Sequence, residues 1–134
     1  KGMVRILLTD LKNPVYLTQK DVREVQLAVG AIKVGISVML EHRGVTLKDI
    51  DEVLLAGAFG NNINIESAVT VGLLPDVEHD KITGVRNSSG YGAYLSLASA
   101  PFCASAEGTM KKMKYIELSS LPDFQKRFVT AMLF

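Results

Sequence analysis

Twice in this chain an apolar, strand-like run passes straight into a glycine-bearing turn and then into a helix-forming stretch. The first passage is "LLAGAFGNNIN", residues 54–64, and the second is "NSSGYGAYLSLAS", residues 87–99, which follows the weaker strand Lys81–Arg86. Strands that feed helices in this way commit a chain to an α/β arrangement, in which a sheet carries helices on its faces. Ligands in such sheets sit at the carboxyl ends of the strands, where both passages lie.

The rest of the chain fits that plan. Val4–Thr9 and Val15-Tyr16-Leu17 are rich in branched apolar residues and flank the turn residues Lys12-Asn13-Pro14, which predicts a hairpin. Thr18, with Asp21 three residues on, predicts a helix start of the capping-box kind. From Val22 the apolar positions Val25, Val29, Ile32, Ile36, Met39 and Leu40 recur every three or four residues, and Leu27, Ala28, Ala31, Val34 and Val38 widen the stripe. A largely buried helix running to about His42 follows. Gly44 breaks it. Gly30, Ala31 and Gly35 leave bare backbone on that helix, for tight packing or for a ligand.

Glu52–Ala56 carries the run Val53-Leu54-Leu55 that a buried parallel strand would show. Asn62 or Asn64 is then expected to cap a helix of Ile65–Leu73, closed by Pro75. Asn87 should cap a helix over Ser88–Ser99, and Pro101 should open another through Lys112. The alternation in Lys114–Leu118 predicts one more strand, and Ser119 or Ser120 a cap for a last helix bearing Phe124, Phe128 and Met132. The sum is a single domain over residues 1–134, a mixed β-sheet with helices on both faces.

Composition narrows the chemistry. Apolar residues make up 48% of the 134 and charged residues 22%, with a net charge of +1. A chain of this size buries roughly two thirds of its extended-chain surface. No run of one charge advertises a nucleic-acid or membrane-surface partner, no apolar run approaches a membrane span, and no signal-peptide pattern opens the chain. The single cysteine, Cys103, in an apolar context, and the two histidines, His42 and His79, have no metal-ligand spacing. Cytoplasmic localisation is the expectation. No nucleophile–base set, paired carboxylate, Walker loop or GxGxxG fingerprint can be placed.

Gly57 and Gly60 permit backbone conformations and close approaches that a side chain would block. They suit the edge of a nucleotide and equally a ligand-free corner. Phe59 is either a core plug or a stacking surface. The second corner, at Asn87 and Gly90, would lie on the same edge of the sheet as the first.

The segments "LTQKDVREVQLAVGAIKVGISVMLEHRGV", "DIDEVLLAGAFGNNINIESAVTVGLLPD", "NSSGYGAYLSLAS" and "MKYIELSSLPDFQKRFVTAMLF" resemble, in order and from Thr18 onward, the C-terminal region of the reductive activators of corrinoid proteins. The resemblance implies an RNase H-like, actin-like ATPase lobe of the acetate kinase, Hsp70 and actin class, preceded in the parent protein by the first half of the clamp and a ferredoxin-like iron-sulfur domain. It implies a nucleotide-facing role for Gly57, Ala58, Phe59, Gly60 and Asn61, with Asn87 and Gly90 at the neighbouring corner. ATP or ADP with Mg would be the ligand, bound weakly or not at all by this lobe alone, which is not expected to be catalytically active. A corrinoid protein or methyltransferase would be the partner of the parent protein. The chain departs from the family pattern at Val29, where relatives often carry lysine, and at Arg86, where they usually have glycine.

Two other readings stay open. The piece serves as an interaction module, with an unpaired sheet edge that forms a homodimer unless Tyr115–Leu118 fills it. Alternatively it belongs to a dehydratase activator of the same ATPase class, although Cys103 is a poor candidate for a cluster bridging two subunits.

Overall fold

A computed structural model describes residues 4–9 and 12–133, except for the side chains of Phe59 and Asn61. The hairpin forms as β1 (Arg5–Leu7) and β2 (Tyr16–Thr18), antiparallel with Ile6 opposite Leu17. The Arg5 guanidinium lies 4.2 Å from the centre of the Tyr16 ring, a cation–π pair across the strands.

Helix α1 (Gln19–Arg43) begins at a complete capping box. Thr18 Oγ1 accepts the Asp21 N–H at 3.2 Å, and Asp21 Oδ2 accepts the Thr18 N–H at 2.8 Å, so two otherwise orphaned donors are satisfied. The helix ends where Gly44 turns left-handed at φ 69° and its N–H reaches back to the last carbonyls, the usual glycine exit.

Helix α1 is less buried than its periodicity predicts. Val29, Gly30, Val34 and Val38 are covered, while Val25, Leu27, Ile32 and Met39 stand exposed. Much of the cover is supplied by α6 (Phe124–Ala131), with Gly72 and Leu118 also against the helix, so the covered stripe is narrow. Gly30 is the seat of that contact: a Cβ there would lie 2.8 Å from Met132 Cγ and 3.4 Å from the Phe128 ring. Tight packing therefore accounts for this glycine. At Gly35 a Cβ would meet only Leu118 Cδ1, at an ordinary contact distance of 3.8 Å. Arg127 of α6 locks the pair, donating to Glu41 Oε2 at 2.6 Å and to Asp123 Oδ2 at 2.6 Å. By length and apolarity α1 falls within the range of a membrane span, an exception to the expectation from the sequence.

Strands β3 (Val53–Ala56) and β4 (Ile82–Arg86) pair in parallel. Parallel strands need a crossover, and here it consists of α2 (Gly57–Asn62), α3 (Ile65–Thr70) and the loop to a 3-10 turn at His79–Lys81. Lys81 Nζ donates to Ile50 O at 3.0 Å, tying the start of β4 to the approach to β3. Helices α4 (Ser88–Ala98) and α5 (Ala100–Met110) follow, with Ser99 closing one and capping the other.

Several expectations are corrected. In place of one mixed sheet, the described residues form two separate two-stranded sheets. Lys114–Glu117 is not a strand and Leu118–Ser120 is a 3-10 turn; among the described residues no strand pairs with it, and Glu117 gathers local bonds from Tyr115 and Ser119 instead. Consequently Tyr115–Leu118 fills no sheet edge. Asn62 lies within α2, leaving Asn64 as the cap of α3, and Asp123, not Ser119 or Ser120, precedes α6. Strand β3 is half covered rather than buried, with Leu54 56% exposed.

The two glycines of α1 should respond oppositely to substitution. Gly30→Leu is expected to cost about 1–3 kcal/mol by forcing α6 away, whereas Gly35→Ala should gain up to about 1 kcal/mol of helix propensity; urea unfolding of each variant measures both. The Asp21 carboxyl is held below its ordinary value by its bonds to Thr18, as are Glu41 and Asp123 by Arg127. Their stabilisation is present above the ordinary carboxylate range and is lost as pH falls through the lowered folded values. The unfolding midpoint should therefore fall below about pH 4, and less steeply in Asp21→Asn.

Candidate functional site

Both strand-to-helix corners come together. Ala56 pairs with Arg86 across the sheet, after a register shift between Leu55 and Ala56. Gly57 and Asn87, the next residues along each strand, thus stand side by side at the same end. Helix α2 packs on β4 as well as on β3, and a Cβ on Gly84 would lie 3.7 Å from Gly60 O.

The glycines at this end have different causes. Gly57 has φ 82°, a conformation that disfavours any residue with a Cβ. A Cβ there would meet no described atom within 4 Å, so its face is open. Gly60 faces inward: a Cβ would lie 2.9 Å from the Leu55 carbonyl, so its bareness allows α2 to fold back on β3. Gly90 is covered by the cap, because Asn87 Oδ1 accepts its N–H at 3.0 Å and a Cβ would strike the Asn87 side chain. Ala58 is exposed, and its carbonyl accepts from Asn62 Nδ2 at 2.8 Å. The expectations for the Phe59 ring and the Asn61 side chain fall outside the described side chains. The open surface at this corner is therefore carried by Gly57 and Ala58, with Gly60, Asn87 and Gly90 shaping the backbone beneath.

One residue of this corner is unexpected. Arg86 has φ 54°, the single left-handed non-glycine residue described. It is exposed. Its position as a departure from the family pattern was visible in the sequence, but the conformation that glycine would ease was not. The other departure, Val29, is 0% exposed and would meet a Cβ on Gly72 at 3.6 Å; it is a core residue.

Among the described residues the corner gathers no acid–base set. The carboxyls held low belong to Asp21, Glu41, Asp49, Glu117 and Asp123, each fixed by hydroxyl, amide or Arg127 bonds elsewhere. Among the described residues no group of three or more His, Cys, Asp and Glu is placed to hold a metal ion. A groove of about 820 Å³ lies away from the corner, between the second half of α1 and residues 69–76, with Lys33, Leu40, Leu47 and Pro75 on its walls.

The family described as the C-terminal domain of RACo, the ASKHA domain, matches residues 3–134. The chain is 35% identical over 132 residues to the corrinoid activation enzyme RamQ of Eubacterium limosum, an alignment covering 96% of this chain and 22% of that protein. It is also similar to a solved reductive activator for corrinoid, iron-sulfur protein, with a TM-score of 0.78 and 38% identity over 90% of this chain and 19% of that one. The chain thus spans about a fifth of the length of these relatives.

The geometry of the corner sets the sign of three substitutions. Gly57→Ala should cost about 1–2 kcal/mol through its left-handed backbone, and Gly60→Ala about 1–3 kcal/mol through the clash with Leu55. Arg86→Gly should stabilise by about 1 kcal/mol, since glycine occupies the same region freely. Equilibrium denaturation resolves all three, and a destabilised Arg86→Gly would contradict the backbone assignment.

Proposed function

This chain belongs to the family of the C-terminal domain of RACo, the ASKHA domain, and from that premise we propose that it is the adenosine-side lobe of an ATP-driven reductive activator of a corrinoid protein. The observation that carries the proposal is the convergence of two strand-to-helix corners at one sheet end, with the open backbone of Gly57 between them. Bare backbone at a strand's carboxyl end lets a flat base and its ribose approach closely. In this reading the turn Gly57, Ala58, Phe59, Gly60, Asn61 meets the base and ribose through the open backbone at Gly57 and Ala58, with Gly60 and the neighbouring Asn87 and Gly90 shaping the backbone beneath.

The remainder of the parent protein would supply what this lobe lacks. A phosphate grip and a carboxylate for Mg have no counterpart at the corner, which is uncharged apart from Arg86. An iron-sulfur cluster does not fit this chain, whose one cysteine cannot hold it; a ferredoxin-like domain would carry the cluster in the parent. Exposed apolar side chains support a lobe that works against other surfaces: Ile6, Leu7 and Leu8 of the hairpin region, Leu54 of β3 and Leu97 of α4 at 91%. Stable monomers leave few such patches open. ATP held between this lobe and its counterpart would favour the closed arrangement by its differential affinity for the two states. Closure would change how the activator docks its corrinoid protein or methyltransferase, in the cytoplasm.

A second reading rests on the hairpin. Most of its apolar residues are exposed, and among the described residues its strands pair only with each other, which supports a homodimer formed along this edge. A clean monomer in sedimentation at high concentration removes that reading.

The main proposal is tested in the full-length protein by following ATP-dependent reduction of an inactive cobalt(II) corrinoid in its visible spectrum. Ala58→Trp, which fills the open rim from an exposed position, should raise the ATP concentration needed for half-maximal stimulation severalfold with folding intact. An unchanged ATP dependence would count against a nucleotide at this corner. The lobe by itself should bind ATP too weakly to measure, so submicromolar binding would contradict the split of labour between the lobes.

A further inference from the structure

Arg86 combines three properties that do not follow from stability. It sits in the left-handed region at φ 54°, where a side chain costs roughly 1–2 kcal/mol and glycine nothing. Its side chain is exposed and makes no hydrogen bond or ion pair among the described residues. It is also the one charged residue of the corner: residues 53–65 hold none, and between Lys81 and Glu107 the chain has no other. A strained backbone that keeps a cation without a hydrogen-bond or ion-pair partner among the described residues is an observation from which a functional role is inferred.

The register shows where that cation stands. Arg86 pairs with Ala56, next to the open face of Gly57. We propose that Arg86 is a ligand-contacting residue of this corner, and that its guanidinium stacks on the base of the bound nucleotide. The proposal rests on the nucleotide reading given above and adds to it the base as the moiety recognised. A guanidinium is planar, weakly hydrated and stacks well on aromatic faces. A phosphate clamp would gather several cations, and Arg86 is the single cation among residues 53–65 and 82–106.

The test uses the full-length protein, wild-type, Arg86→Gly and Arg86→Lys, titrated with ATP and with adenosine by calorimetry. Arg86→Gly relieves the backbone, so a loss of binding would come with equal or higher thermal stability and could not be ascribed to unfolding. The expected result is a roughly twofold to thirtyfold weaker affinity for both ligands, with Arg86→Lys between the two. If Arg86→Gly weakens ATP but leaves adenosine unchanged, the contact is with phosphate and base stacking is overturned. If wild-type and Arg86→Gly bind both ligands equally, Arg86 has no role while the nucleotide corner stands. If the wild-type protein binds neither ligand, the nucleotide reading fails and takes this assignment with it.

Discussion

Parallel pairing of β3 with β4 governs the layout of this chain. Two parallel neighbours cannot be joined by a tight turn, so the chain must leave the first strand, cross over and return in the same direction. Residues 57–81 make that crossing. Because both strands then point the same way, their carboxyl ends share one rim, and whatever follows each strand is brought against its neighbour. The register shift after Leu55 adjusts this meeting by one residue, setting Arg86 rather than Val85 opposite Ala56. A bulge of this kind re-aims side chains at the end of a strand.

The second organising contact is the seat of α6 on α1. It relies on an absence of bulk at Gly30 and on a fork of charge at Arg127, which reaches Glu41 across 86 residues of sequence. Both carboxylates of that fork are exposed, so its value lies in geometry more than in energy. Elsewhere among the described residues large apolar side chains such as Val4, Leu97 and Tyr115 are left uncovered.

Local signals were the legible ones. The capping box at Thr18 and Asp21, the glycine exit at Gly44, the caps at Asn64 and Asn87 and the hairpin around Asn13-Pro14 each involve residues within a few positions of one another, and each forms. Some of what required a distant partner was not legible. Alternation in Lys114–Leu118 reads as a strand, yet a strand exists only beside another, and Glu117 meets the local hydroxyls instead. The periodicity of α1 shows how many apolar residues it has and not how many will be covered. At the candidate site the convergence of the corners was legible from the α/β order. The distinct causes of Gly57, Gly60 and Gly90 were not, because a letter G is the same whether it answers to a torsion angle, a clash or a neighbouring cap.

The long reach between α1 and α6 bears on how the protein is made. Lys33 Nζ donates to the carbonyl of Leu133, 100 positions further on, so the first helix leaves the ribosome well before the last one exists to shield it. At about 5–20 residues per second, that gap lasts on the order of 5–20 s. Through that interval the valine stripe of α1 is open to any sticky surface nearby, which makes the nascent chain a natural client for chaperones that grip apolar helices.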